Sequence, residues 1–192
     1  MSQGQMHVAV IGHLSSGKST TVGQILLKAG AVDESRLQEV EKEATELNHR
    51  SLKYAWLVNK LKEEREQGCS VDFSLSSFAG AKTTFTLVDC PGQRKYTKNA
   101  VTGITQSEAA LLVLDAAPQA YEAGKHKDAQ AREHLVLASS LGIKQLVVAV
   151  NKMDTTEPAY SKDRFEAIVK DVSPLLQKAG FPPAKVKFVP IS

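Results

Sequence analysis

The chain has 192 residues, 42% hydrophobic and 23% charged, with a formal net charge of +3. That length supports one domain with a sizeable core, and the composition is that of an ordinary folded chain rather than a disordered or fibrous one. The charge is too small to argue for nucleic acid by itself, no apolar run approaches the roughly 18 residues of a membrane span, and Cys69 and Cys90 make neither a disulfide framework nor a zinc spacing.

The first five residues, Met1 to Gln5, lack the basic and apolar regions of a secretory signal. A monomer in a reducing, cytoplasmic setting, away from membranes, is therefore expected. The first strand is expected around His7 to Ile11, from the apolar run Val8-Ala9-Val10-Ile11. It runs into Gly12-His13-Leu14-Ser15-Ser16-Gly17-Lys18-Ser19, followed by Thr20. This fits G-x-x-x-x-G-K-[ST], the phosphate-binding loop, in its required setting between a strand and a helix. Gly12 and Gly17 let successive N–H groups point into one concavity at a helix N-terminus, which suits a triphosphate. Lys18 would lie against its β- and γ-phosphates and Ser19 on Mg²⁺. The helix is expected over Lys18 to Ala29, with Gly30 as its stop.

Helical spacing continues over Asp33 to Leu47 and again over Leu52 to Gln67, which Gly68 ends. Trp56 on the latter reads as a core anchor. Val71 to Ser76 alternates like a half-buried strand, Ala79 to Lys82 reads as a hairpin turn, and Phe85 to Val88 as the returning strand. A helix is expected over Lys98 to Ser107, a buried strand over Ala109 to Leu114, and a loop over Asp115 to Lys127. Then come a helix over Asp128 to Leu141, a strand over Leu146 to Val150, and a helix over Ser161 to Ala179 with Ser173-Pro174 as a candidate kink. Phe188 to Ser192 begins like a last strand. Strands alternating with helices predict an α/β fold: a doubly wound, mostly parallel sheet with helices on both faces and one edge hairpin. Ligands of such folds sit at the carboxyl ends of the strands, where the loops after Ile11, Val88 and Val150 all leave.

The second of these loops, Asp89-Cys90-Pro91-Gly92-Gln93, contains D-x-x-G. The pattern is nearly worthless alone, since about one chance copy is expected per chain. Its place after a strand, downstream of the phosphate loop, gives it meaning. Asp89 can hold Mg²⁺ through water, and the Gly92 N–H can meet a γ-phosphate because glycine permits close approach. The third loop, Asn151-Lys152-Met153-Asp154, suits guanine. The Asp154 carboxylate can accept both N–H donors of that base, a pair adenine lacks. Asn151 would brace the neighbouring loops, and the Lys152 stem would lie along the ring. Arg94 to Lys98 and Lys125 to Lys127 read as solvated basic stretches, and His134 as a packed histidine.

The ordered set of phosphate loop, D-x-x-G and N-K-x-D resembles a regulatory GTPase. Gly12-His13, Tyr54-Ala55-Trp56, Glu64 to Gly68, Asp89 to Gly92, Glu122-Ala123-Gly124, Arg132-Glu133-His134 and Asn151 to Asp154 resemble the translational GTPases. Within them, the eukaryotic and archaeal elongation factor 1-alpha branch is the closest in pattern. The resemblance implies GTP and GDP as ligands, Mg²⁺ as cofactor, and the ribosome, aminoacyl-tRNA or a tRNA mimic, and a guanine-nucleotide exchange factor as partners. It makes residues 1–192 a GTP-binding domain, expected to be cut short at its C-terminal end and lacking the β-barrel domains that follow. Ser192 then begins the family's last guanine-contacting loop. In the family's effector loop a Gly-Ile-Thr threonine binds Mg²⁺; here Gly68-Cys69-Ser70 offers the Ser70 hydroxyl. Ser15 replaces an acidic residue, and Gln93 a water-positioning histidine, a role glutamine serves in Ras-like GTPases. With Gln93 orienting water, Lys18 offsetting phosphate charge and Gly92 reporting the γ-phosphate, slow hydrolysis without a partner is expected. These departures suggest a divergent paralogue. A release or ribosome-rescue GTPase, and a weakly hydrolysing nucleotide-binding adaptor, remain the alternatives.

Overall fold

The computed structural model describes residues 4–125 and 130–192. The expected His126-Lys127 loop and the start of a helix at Asp128 lie outside them. Strands are β1 (Gly4–Gly12), β2 (Ser74–Ala79), β3 (Thr83–Asp89), β4 (Ala109–Asp115), β5 (Gln145–Asn151) and β6 (Lys187–Pro190). Helices are α1 (Lys18–Lys28), α2 (Glu34–Glu46), α3 (Lys53–Trp56), α4 (Lys62–Gln67), α5 (Thr97–Thr105), α6 (Pro118–Lys125), α7 (Gln130–Ser140) and α8 (Lys162–Lys178). The strands form one sheet in the order β2-β3-β1-β4-β5-β6. All neighbours are parallel except the β2–β3 edge hairpin, as expected.

Apolar side chains alternate to opposite faces of the strands, so each face builds its own core. Ala9, Ile11, Leu112 and Val148 pack with Ile104, Leu135, Ile168 and Leu176 under α5, α7 and α8. Val10, Leu87 and Val113 pack with Val22 and Leu26 of α1 on the other face. Val22 and Leu26 are four residues apart and thus share one side of α1; burying each contributes roughly 1.5–3 kcal/mol. A third cluster joins Val40 and Ala44 of α2 to Trp56, which is the core anchor its sequence setting implied. In α8 the Ser161 hydroxyl caps the first turn by accepting from the Arg164 N–H at 3.2 Å, and the helix runs on through Pro174.

Three expectations need correction. The edge strand expected over Val71 to Ser76 is displaced to Ser74–Ala79, so Ala79 belongs to the strand and not the turn, because the Glu64 carboxylate takes the Val71 and Asp72 N–H groups away from the ladder. The single helix over Leu52 to Gln67 is two short helices, α3 and α4, separated at Leu57 to Leu61. Local spacing favours helix there, but the Asn59 carbonyl accepts from Arg65 Nε at 3.1 Å and its side chain turns toward Ser70, so tertiary contacts break the run. The loop over Asp115 to Lys127 contains α6. Pro118 opens that helix, where a missing N–H costs nothing, and buried Tyr121 anchors it.

Candidate functional site

The carboxyl ends of β1, β3 and β5 carry the three loops to one edge of the sheet. Gly12 (φ +147°) passes so close to the Val113 carbonyl that a Cβ there would overlap it. Gly17 (φ +93°) opens α1 in a conformation side chains disfavour, and a Cβ would strike the Asn151 amide. Ser15 also takes positive φ and is exposed. Lys18 is 6% exposed, and its ammonium donates to the His13 carbonyl at 2.8 Å. Burial lowers the Lys18 pKa, and Asp89 opposes that in part. His13 is lowered as well, by burial and then by Lys18.

Ser19, Ser70 and Asp89, far apart in sequence, meet beside Lys18. The Ser19 and Ser70 hydroxyls lie 3.0 Å apart. Asp89 is 1% exposed, and its pKa is pushed up to about 6, chiefly by burial, against the pull of the Ser19 hydroxyl and Lys18. Its Oδ1 has no hydrogen-bond partner among the described residues. No group of three His, Cys, Asp or Glu that could hold a metal occurs among them. The donor set at this point is one unpartnered carboxylate oxygen and two hydroxyls. That fits Mg²⁺, which takes oxygen ligands and is usually held by one or two carboxylates plus phosphate and water. Glu64, within the Glu64 to Gly68 stretch that carries the family resemblance, and Asn59 hold Ser70 in place. The Glu64 carboxylate, 5% exposed, accepts from the N–H of Leu61 (3.3 Å), Val71 (3.0 Å) and Asp72 (3.3 Å). Ser70 itself donates to Asn59 Oδ1 at 3.4 Å. Glu64 lies three residues after Leu61, the spacing of a helix-capping glutamate, which was the available signal.

Gly92 closes the mouth of the phosphate loop: a Cβ there would overlap the Lys18 ammonium and sit 3.0 Å from the Leu14 N–H nitrogen. Pro91 and Cys90 are buried, and burial raises the Cys90 thiol pKa, as suits a packing role. Gln93 donates from Nε2 to Cys69 Sγ at 3.0 Å. Gln93, Gly92, His13 and Leu14 share a cavity of about 270 Å³.

On the third loop, buried Asn151 donates from Nδ2 to the Ser16 carbonyl at 2.9 Å, bracing the phosphate loop. Lys152 (φ +60°) donates to the Ser15 carbonyl at 3.0 Å and pairs with Asp115 at 2.5 Å. Asp115, which the sequence reading passed over, orients that ammonium. Met153 is buried and donates from its N–H to the Ile191 carbonyl at 3.2 Å. Asp154 is exposed. Ser192 is brought near this loop through Tyr160, its hydroxyl 3.5 Å from the Tyr160 hydroxyl. Thr20, half-buried, follows the loop in the first turn of α1.

The "Elongation factor Tu GTP binding domain" family model matches residues 4–192, nearly the whole chain. The chain belongs to this family. It is 48% identical over 187 residues to Elongation factor 1-alpha 1 of Euplotes crassus, covering 97% of the chain and 42% of that relative. Among solved structures, the GTPase-like domain of S. cerevisiae Ski7, bound to GDP and inorganic phosphate, superposes with a TM-score of 0.86 at 24% identity, over 99% of this chain and 43% of that one. Sup35 complexed with GDP superposes at 0.68 with 28% identity, over 100% of this chain and 38% of that one. The fold is that of the translational GTPase G domain, and the chain spans less than half the length of these relatives.

Proposed function

We propose that this elongation factor Tu-type domain is a guanine-nucleotide switch that binds GTP and GDP with Mg²⁺ and hydrolyses GTP slowly unless a partner completes its site. The meeting of Lys18, Ser19, Ser70 and Asp89 at one point supports the reading most directly. Residues 12–20 hold the phosphates through backbone N–H groups and Lys18; Ser19, Ser70 and Asp89 hold the cation, which supplies neutralisation of phosphate charge. Gly92 senses the γ-phosphate, with Asp89, Cys90, Pro91 and Gln93 forming its segment. Asn151, Lys152, Met153, Asp154 and Ser192 form the guanine end, where exposed Asp154 reads the base edge. The partners are the ribosome, an aminoacyl-tRNA or tRNA mimic, and an exchange factor, in the cytoplasm. Likeness to an elongation factor 1-alpha supports a delivery role. Residues 1–192 form its GTP-binding domain.

One observation favours a second reading, a nucleotide-binding adaptor. The Gln93 amide nitrogen is engaged by Cys69. The two separate in one experiment. Fluorescent GDP is titrated in Mg²⁺ and competed with GTP and ATP, and phosphate release is followed with and without ribosomes. Guanine-selective binding with ribosome-stimulated release is expected. Selective binding without stimulated release would favour the adaptor, and equal competition by ATP would overturn the role of Asp154.

A further inference from the structure

Under the phosphate loop, on the sheet face covered by α7 and α8, lies a cavity of about 320 Å³. Its walls are apolar: Leu112, Leu114, Ala131, Leu135, Val172 and Leu175. Its roof is the outer side of the phosphate loop, His13 to Ser16. The volume falls at the lower end of the range of small-molecule sites, roughly 300–1,000 Å³. Interiors otherwise pack densely, and walls facing a void forgo contact energy.

Two polar atoms of the roof lack hydrogen-bond partners among the described residues. Ser16 is 2% exposed, and its hydroxyl has no hydrogen-bond partner among the described residues. The same holds for His13 Nδ1. Both atoms are enclosed by the loop itself, so the cavity meets the loop without a polar contact there. Arg132, exposed at the rim, supplies a guanidinium suited to an anion. The Lys152 ammonium at the same rim is already held by Asp115.

We propose that this cavity is a second ligand site, for a small amphiphile with an apolar body and an anionic head. The body fills the space between α7 and α8, and the head pairs with Arg132. The site is separate from the phosphate-binding concavity but shares its loop as a wall. A ligand here therefore biases the conformation of residues 13–16, and its binding and that of the nucleotide alter each other's affinity by the same factor. That coupling rests on the nucleotide reading above; occupancy of the cavity does not.

The probe is anilinonaphthalene sulfonate, an apolar ring system carrying one sulfonate. Its binding to the full chain is followed by fluorescence and calorimetry, with and without GDP and Mg²⁺. Saturable one-to-one binding is expected, at least tenfold weaker in Ala131→Phe, which fills the cavity, and several-fold weaker in Arg132→Ala, which alters an exposed side chain. In the wild type, but not in Ala131→Phe, the probe shifts the dissociation rate of fluorescent GDP several-fold. Absence of saturable binding, binding unchanged by both variants, or stoichiometric displacement by GDP overturns the site. An unchanged GDP rate with the probe bound removes the coupling. If Ala131→Phe does not fold, as judged by circular dichroism, Arg132→Ala decides. If no guanine nucleotide binds at all, the switch reading fails while the probe still decides the cavity.

Discussion

His134 has no exposed surface, and its ring lies between two N–H donors. The Gly12 N–H approaches Nδ1 at 3.5 Å, and the Gln130 amide lies 3.3 Å from Nε2. A neutral imidazole has one acceptor nitrogen and an imidazolium none, so protonation would lose any bond the ring accepts. Burial, Lys18 and His13 together push its pKa down to about 3. The unfolded chain takes this proton near pH 6.5 and the folded chain does not. Stability from His134 is therefore complete above pH 6.5 and is lost as pH falls toward 3. Asp89 acts oppositely: with its pKa raised to about 6, the folded state binds its proton first, so stability falls as pH rises through about 4 to 6. Thermal unfolding of wild type and His134→Asn, compared between pH 6.5 and 5, cancels the Asp89 part. The wild type should lose about 1.5–2 kcal/mol more than the variant over this window. Parallel curves would mean that His134 is not kept neutral by the fold.

Among the elements, α1 and α3 approach most closely at Gly23. A Cβ there would overlap the Tyr54 carbonyl, so the backbone of α3 lies directly against α1. Gly23→Ala should cost about 1–3 kcal/mol despite alanine's better helix propensity. Urea unfolding should show a lower midpoint with an unchanged slope; an unchanged or raised midpoint would show that α3 yields without cost. The periodicity of Val22 and Leu26 marks α1, because one buried face imposes it. The alternation over Val71 to Ser76 points to an edge strand, whereas the strand itself runs three residues later and leaves Leu75 exposed. The break at Leu57 to Leu61 leaves no such trace, because it is imposed by Asn59 meeting Ser70 and Arg65 from elsewhere in the chain. In α6 the small residues around Pro118 suggest a loop, while the anchoring of Tyr121 depends on α8, whose Asp171 accepts its hydroxyl at 3.2 Å.

At the scale of the molecule, a nucleotide in this site would bridge β1, β3 and β5, tying the middle of the sheet to both of its sides. Binding to the folded state alone stabilises by about 2.7 kcal/mol at a hundredfold excess over Kd. For a chain of this size GDP with Mg²⁺ should raise Tm by roughly 5–10 °C. ATP at the same concentration should leave it unchanged, and an equal rise with both would argue against guanine selection by the third loop. The phosphate loop and guanine loop were legible because both motifs are contiguous in sequence. The roles of Glu64, Asn59 and Asp115 were not, because their partners are backbone groups or side chains that only the folded chain brings near. Gln93 was legible as a residue but not in its direction, which Cys69 sets.

The edge hairpin pairs Ser74 with Asp89, so the first rung of β2 lies at the strand end that carries the buried carboxylate. Four residues back along the chain is Ser70, 3.0 Å from Ser19. A strand advances about 3.3 Å per residue, so a slip of one rung would carry Ser70 out of reach of Ser19 and turn each β2 side chain to the other face. The hairpin thus serves as a gauge block, setting a distance in the site by counting residues. Its turn, residues 80–82, lies at the far end. Length can vary there without disturbing the setting, whereas one residue gained or lost between Ser70 and Ser74 would reset it.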